Sequence, residues 1–231
     1  MSFLKEKIKE EESHDEKGHI TEKKFTLNGK LEGEYTSYYD NGQIMVRLFF
    51  RNDKREGESA SYFRDGQIGE KGTFKNDSLE GEYISYYESG RIKEIENYKN
   101  GKCDGKYTLF FTTGQIKEVE YFKDGKFDGE YICYYKDGQI KEKGSFINDK
   151  RNGTYIAFYK NGQVREQATY IHGKLEGEFL SFDADDPRYQ GDDDEDDSYP
   201  FTDEIDVKDK GKRIDDLLKN IADFEEELKE K

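Results

Sequence analysis

Aromatic and β-branched residues recur along the chain in short runs that are separated by glycine-containing turns. The run Gly129–Tyr135, Gly-Glu-Tyr-Ile-Cys-Tyr-Tyr, has the composition and length of a β-strand. The next segment, Lys136–Gln139, contains Asp-Gly, which supplies the positive φ that a tight hairpin turn requires. A second strand, Ile140–Phe146, is apolar at both ends and charged in the middle. The pattern therefore predicts a β-hairpin.

This hairpin pattern repeats every 24 residues in three registers. The first register is the glycine of a Gly-Glu-Tyr-like step: Gly33, Gly57, Gly81, Gly105, Gly129, Gly153 and Gly177. The second is the glycine before Gln or Arg: Gly42, Gly66, Gly90, Gly114, Gly138 and Gly162. The third alternates Gly with Asp, two residues that tolerate turn conformations: Gly29, Asp53, Asp77, Gly101, Gly125, Asp149 and Gly173. Three registers that stay in step indicate a repeat protein.

The pleat of the first strand of each unit sorts its rings onto two faces. One face carries Tyr35, Tyr83, Tyr107, Tyr131, Tyr155 and Phe179, with Ser59 in the second unit. The other face carries Tyr38, Tyr62, Tyr86, Phe110, Tyr134 and Phe158. Identical positions stack as ladders. We predict an all-β repeat protein, an elongated antiparallel β-hairpin meander of about seven 24-residue repeats over residues 25–183, roughly 65 Å long.

The composition limits the classes of function. The chain of 231 residues is 32% apolar, 39% charged and 15% aromatic without tryptophan, which suits a thin core of rings but not a thick enzyme domain. A net charge of −15 argues against a general nucleic-acid binder and against attachment to anionic lipid by charge. His14, His19 and His172 are scattered, and no cluster has zinc spacing. We expect no catalytic site, no cofactor and no metal.

Repeated carboxylates are the remaining candidates for acid–base chemistry. Glu94, Glu118 and Glu142 recur at one register and Glu82 and Glu130 at another. Catalysis needs one pair of carboxylates in a distinct environment. We expect these glutamates to be solvated and to form cross-strand salt links with lysines.

The two ends of the chain depart from the repeat. Residues 1–24 are polar, and Phe3, Leu4 and Ile8 favour either a short helix or disorder. Residues 184–210 include Asp192–Asp197 and predict an acidic linker. Residues 211–231 predict an amphipathic helix, which either caps the last hairpin, the favoured interpretation, or binds a partner; its apolar residues are Ile214, Leu217, Leu218, Ile221, Phe224 and Leu228.

Localisation signals are absent from the sequence as given. No secretory signal or membrane span is visible, and Cys103 and Cys133 do not form a disulfide framework. Cys103 replaces Leu or Arg at its register and Cys133 replaces Ser or Ala, so both are interpreted as packing variants. The expectation is a cytoplasmic protein.

Two segments carry a family resemblance: Tyr38–Ile44, Tyr-Tyr-Asp-Asn-Gly-Gln-Ile, and Asn28–Tyr35, Asn-Gly-Lys-Leu-Glu-Gly-Glu-Tyr. They resemble the MORN (membrane occupation and recognition nexus) repeat, in the bacterial variant ascribed to antitoxins of toxin–antitoxin systems. The resemblance covers about residues 25–183. It implies lipid binding, a dimerising scaffold or an immunity partner of a toxin. The tryptophan of the eukaryotic pattern is missing, which weakens the transfer of lipid binding.

The leading functional hypothesis is a non-catalytic module that binds a protein partner, such as a toxin. The predicted contact ladder is Tyr38, Tyr62, Tyr86, Phe110, Tyr134 and Phe158, because tyrosine is enriched at interfaces. The alternative is that these rings form the sheet's own core. The second hypothesis is a self-associating scaffold, for which a homodimer is possible. The third is binding to phospholipid at a membrane surface.

Overall fold

The computed structural model describes residues 7–182, in which every regular element is a β-strand. The first ten strands are β1 (Lys9–His14), β2 (Ile20–Leu27), β3 (Lys30–Tyr38), β4 (Ile44–Arg51), β5 (Lys54–Arg55), β6 (Gly57–Tyr62), β7 (Ile68–Lys75), β8 (Ser78–Leu79), β9 (Gly81–Tyr86) and β10 (Ile92–Lys99). The other ten are β11 (Lys102–Cys103), β12 (Gly105–Phe110), β13 (Ile116–Lys123), β14 (Lys126–Tyr134), β15 (Ile140–Ile147), β16 (Lys150–Arg151), β17 (Gly153–Phe158), β18 (Val164–Ile171), β19 (Lys174–Leu175) and β20 (Leu180–Ser181).

These strands form one sheet in which neighbours in the chain pair antiparallel. The pairing of β3 with β4 runs from Gly33 opposite Phe50 to Tyr38 opposite Ile44. Several two-residue strands are the first part of an interrupted strand, as β5 and β6 both pair with β4. At that interruption the Glu56 N–H donates to the Phe49 carbonyl at 2.8 Å. The antiparallel hairpin meander predicted from the repeat is confirmed.

Two kinds of turn alternate along the sheet. The two-residue turns lie in the Gly/Asp register: Asn28 (φ 56°) and Gly29 (φ 78°) join β2 to β3, the geometry of a type I′ hairpin. At the other register, the Gly42 N–H donates to the Tyr39 carbonyl and the Tyr39 N–H to the Gln43 carbonyl. That is a three-residue loop with a glycine bulge. The two-residue turn therefore lies in the Gly/Asp register and not, as the Asp-Gly pair predicted, in the register of Gly42 and Gly138.

The N-terminal segment differs from its prediction. Neither alternative, a short helix or disorder, is correct for residues 9–14 and 20–24, because they lie in β1 and β2, which pair with each other. Every residue of β1 is exposed, and its charged side chains are typical of a protected sheet edge. The first unit is irregular, because Thr26 takes the place that Phe50 has in the next unit. Residues 1–6 lie outside the described residues.

The buried rings lie on one side of the sheet, which we call the inner face, whereas the residues buried on the other side carry no rings: Thr36, Ile84, Thr108 and Val119. The inner face contains Leu48 and Phe127, only 1% and 2% exposed, and rings at the Tyr35 register. The ring centroids of Phe122 and Phe127 are 4.4 Å apart, and those of Phe127 and Phe146 are 5.5 Å apart. The buried rings of successive units therefore contact one another along the sheet.

The seventh predicted unit begins at Gly177 and is described only to Phe182. The predicted acidic linker, 184–210, and the predicted helix, 211–231, lie outside the described residues. Their structural predictions remain predictions, as do the domain boundaries.

Candidate protein-binding face

The opposite side of the sheet, the outer face, carries the six rings predicted as a contact ladder. Each ring is half-buried and stands at the end of the first strand of its hairpin. Each is paired across the hairpin with an aliphatic residue, as Tyr86 is with Ile92 and Tyr134 with Ile140. We call this set the outer ladder: Tyr38, Tyr62, Tyr86, Phe110, Tyr134 and Phe158. These rings are less buried than the inner rings at the Tyr35 register from Tyr35 to Tyr155.

At three positions of the outer ladder, Tyr62, Phe110 and Phe158, the backbone carbonyl accepts a hydrogen bond from a tyrosine of the preceding repeat. The Tyr39 hydroxyl donates to the Tyr62 carbonyl at 2.7 Å, 23 positions along the chain. Tyr135 donates to the Phe158 carbonyl in the same way, also at 2.7 Å. Each such bond joins adjacent repeats at the position of a ladder ring. These three rings are therefore presented on a positioned backbone, which lowers the entropy lost when a partner binds.

The tyrosine hydroxyls of the outer ladder are available. Within residues 7–182, no hydrogen bond joins the hydroxyls of Tyr62, Tyr86 or Tyr134 to another residue. Buried tyrosines ordinarily find a partner for this group. These half-buried rings therefore offer an apolar surface and a polar group without a described partner, the combination that is common at protein interfaces.

On the inner face, in contrast to the outer ladder, tyrosine hydroxyls donate hydrogen bonds to carboxylates. The Tyr131 and Tyr155 hydroxyls donate to the two oxygens of Glu142 at 2.6 and 2.8 Å. Tyr98 donates to Glu96 at 2.6 Å. Glu96 and Glu142 are 2% and 8% exposed. Tyrosine and buried carboxylate therefore alternate along the inner face.

This arrangement corrects the expectation of solvated carboxylates facing lysines. Glu142 is buried and accepts hydrogen bonds from tyrosines, and half-buried Glu94 accepts one from Tyr107. Glu82 and Glu130, in contrast, are exposed as expected. The signal available in the sequence was alternation, because Glu142 and the core ring Phe146 are four residues apart and share a strand face.

Burial controls the ionisation of the inner tyrosines. Loss of solvent, followed by the charge of nearby glutamates, raises the pKa of Tyr83, Tyr98 and Tyr131 far above the ordinary value of tyrosine. The same causes raise the pKa of Tyr107. These hydroxyls stay protonated and act as hydrogen-bond donors throughout the neutral range, which is a structural role.

The other candidate groups are dispersed over the described part of the chain. Cys103 is buried, Cys133 is half-buried, and neither forms a disulfide; the Cys103 thiol donates to the Glu96 carboxylate at 3.4 Å. Burial, with Glu118 and Glu142 nearby, raises the pKa of Cys133 to about 12. His172 is an exposed turn residue with φ 51°. Residues 7–182 contain neither a group of side chains that could hold a metal ion nor a helix long and apolar enough to cross a membrane.

Comparison with protein families gives a match to the MORN repeat variant. The matched segments are 31–52, 55–76, 79–100, 104–124, 127–148 and 151–172. They make up more than half of the sequence and follow the hairpins of the sheet. The chain belongs to the MORN repeat variant family. MORN repeats are generally modules that bind proteins or lipids, and the family is generally non-catalytic.

No curated protein matches this MORN repeat chain. Among solved structures it is similar to part of a GtfA/B complex bound to UDP and GlcNAc, with 13% identity, a TM-score of 0.18 and coverage of 52% of this chain and 21% of that one. It is also similar to part of the Photorhabdus luminescens Tc holotoxin pore, with 14% identity, a TM-score of 0.20 and coverage of 71% and 12%. A Bacteroides fragilis protein of unknown function matches at 9% identity and a TM-score of 0.14, with coverage of 81% and 97%.

Proposed function

We propose that this protein is a non-catalytic module that binds a protein partner through the outer ladder. One observation carries the proposal: the ladder is a row of half-buried rings on one face, in which the hydroxyls of Tyr62, Tyr86 and Tyr134 have no hydrogen-bond partner among the described residues. Interfaces concentrate their binding energy in such aromatic residues. The family supports the general class of function, because MORN repeats bind proteins or lipids.

The finer proposal is that the partner is a toxin and that this protein is its antitoxin or immunity partner. Its support is the resemblance of Tyr38–Ile44 and Asn28–Tyr35 to the antitoxin variant of the repeat. An antitoxin needs no chemistry of its own, because covering the toxin's active surface is sufficient. A row of similar rings suits that role, since it offers a broad area of contact.

The test is a pull-down from native lysate with the full chain and a double variant, Tyr86→Ser with Tyr134→Ser. We expect the variant to fold and to capture at least tenfold less of a stoichiometric partner. The matched control is Phe25→Ser with Phe49→Ser, which removes two other rings that the pleat places on the outer face, on β2 and β4. The proposal fails if the ladder variant retains its partner or if the control loses it equally.

The antitoxin role has its own test. The product of each gene adjacent to this one is expressed alone and together with this protein, and growth is measured. We expect one product to arrest growth and this protein to relieve the arrest, with less relief from the ladder variant. Absence of any toxic neighbour contradicts the antitoxin role but leaves protein binding to be judged by the pull-down.

A second candidate is a self-associating scaffold, which the end of the described sheet favours. Phe179 is 47% exposed, whereas Tyr131 and Tyr155 at its register are 4% and 8% exposed. Leu175 is 45% exposed, whereas the equivalent Phe127 is 2% exposed. Light scattering of the full chain over a range of concentrations tests this candidate. A dimer that Phe179→Lys dissociates supports it, and a constant monomer mass excludes it.

A further inference from the structure

Five lysines of the outer face form a local concentration of positive charge that the nearly neutral composition of the repeats conceals. They come from five consecutive strands, β10 to β14, and all are exposed. We call this set the basic patch: Lys99, Lys102, Lys106, Lys123 and Lys126. The neighbouring hairpins carry Glu82 and Glu130 at the register where the patch has Lys106.

The pairing of the strands brings these charges together. Lys99 lies directly opposite Lys102, and Lys123 directly opposite Lys126, on either side of two-residue turns. Like charges directly opposite each other destabilise a sheet. The equivalent pair is Ile147 with Lys150 in the next hairpin and Arg51 with Lys54 in an earlier one, so the repeat accommodates either arrangement. The two lysine pairs therefore concentrate exposed positive charge on the strands from β10 to β14.

Two carboxylates near the basic patch accept hydrogen bonds from the backbone, whereas Glu82 and Glu130 of the flanking hairpins are exposed. The Asp124 N–H donates to the Asp104 carboxylate at 3.1 Å, and the Phe127 N–H donates to Asp149 at 2.8 Å. No ion pair within residues 7–182 involves a lysine of the patch. Their charge is consequently available to an anionic partner.

The basic patch and the outer ladder share the same face. On β12, Lys106 and Phe110 are separated by four residues, an even number, so the pleat directs both side chains to one side. The distance along the strand is about 13 Å. A single protein surface can therefore contact the rings at its centre and the lysines at its rim, the usual organisation of an interface.

We propose that the partner of the outer ladder is a protein with an acidic surface, and that the basic patch binds its carboxylates. The inference rests on the proposed function, because it specifies the partner of the same face. Opposite charges at a rim accelerate association and fix the register of a complex. The ligand that suits this surface is an acidic polypeptide, because the lysines border the rings of a protein-binding ladder.

The test is fluorescence anisotropy with a synthetic peptide of alternating glutamate and phenylalanine, beside a peptide with glutamine for every glutamate. We expect the full chain to bind the acidic peptide more tightly, with an affinity that falls as salt increases. A triple variant, Lys102→Gln, Lys106→Gln and Lys126→Gln, is expected to lose at least tenfold in affinity. The matched control removes the same charge at Lys7, Lys9 and Lys17, exposed positions around β1 at one end of the sheet, and should bind as the unaltered chain does.

The outcomes separate the inference from the proposed function. Equal weakening of the triple variant and its control, or no preference for glutamate, overturns the inference. Tighter, patch-dependent binding of phosphatidylserine vesicles or single-stranded DNA also overturns it and assigns the patch to a membrane or a nucleic acid. Loss of peptide binding in the patch variant but not in Phe110→Ser supports the acidic ligand and contradicts the ladder as its contact.

Discussion

Tyr131 and Tyr134 lie three residues apart on one strand, yet they belong to two different environments. The Tyr131 ring is 4% exposed and its hydroxyl donates to Glu142, whereas Tyr134 is half-buried with no hydroxyl partner among the described residues. The same contrast recurs on other hairpins of the sheet, as for Tyr83 and Tyr86. Ring type alone therefore does not assign a role; the stabilising rings are those whose hydroxyls meet buried carboxylates.

This contrast also shows how a single sheet can be stable with its outer face open. The inner face contains rings in edge-to-face contact, such as Tyr131 with Phe146 at 6.3 Å between centroids. Its buried glutamates are compensated by tyrosine donors, because an uncompensated buried carboxylate would be strongly unfavourable. The outer face contributes less to folding, and its rings are correspondingly available for contact with a partner.

The largest expected effect is alkaline unfolding driven by the inner tyrosines. Burial raises the pKa of Tyr83, Tyr98 and Tyr131 in the folded protein, so the unfolded chain loses these protons first as the pH passes 10. The unfolded state then binds fewer protons, and the free energy of unfolding falls. Each such ring lowers the free energy of unfolding by up to about 1.4 kcal/mol for every pH unit above 10.

Circular dichroism and tyrosinate absorbance, recorded together against pH, measure this effect. We expect full stability below pH 10 and a cooperative loss of β-structure above it, with the inner rings ionising as the sheet unfolds. Complete formation of tyrosinate while the sheet remains folded would contradict the burial of these hydroxyls.

Truncation of one ring on each face gives the next largest effect. Tyr131→Ala should lower the free energy of unfolding by about 3–5 kcal/mol, because it leaves a cavity in the core. Tyr134→Ala, on the same strand, should lower it by about 1 kcal/mol. Urea titration measures the difference, and the slope of the free energy of unfolding against urea concentration should be the same for both variants. Equal losses would mean that the outer ladder is a second core.

The sequence predicted much of this arrangement through its period. Glycine spacing located the hairpins, and alternation divided the rings into two sets correctly. Alternation could not decide which set is buried, because both faces carry a ring in most units, as Tyr131 and Tyr134 illustrate. That choice depends on contacts between repeats, such as Phe127 with Phe146, and on the tyrosine partners of Glu142.

The N-terminal strands and the basic patch required the structure for different reasons. The residues of β1 are polar and exposed, so β1 has no hydrophobic pattern from which the sequence could predict a strand. It is paired with β2 through the backbone. The basic patch joins lysines that are up to 27 positions apart, Lys99 and Lys126, and only the pairing register brings them onto neighbouring strands.

The smallest expected effect separates the hydroxyl groups from the rings. Tyr131→Phe removes one of two donors to buried Glu142, which should lower the free energy of unfolding by about 1–3 kcal/mol. Tyr134→Phe removes a hydroxyl without a described partner and should change it by less than about 0.5 kcal/mol. Affinity for the captured partner should respond in the opposite order, because only the Tyr134 hydroxyl is free to bind it. If Tyr134→Phe instead lowers stability as much as Tyr131→Phe, the outer hydroxyl serves folding, and the division of roles between the two faces is wrong.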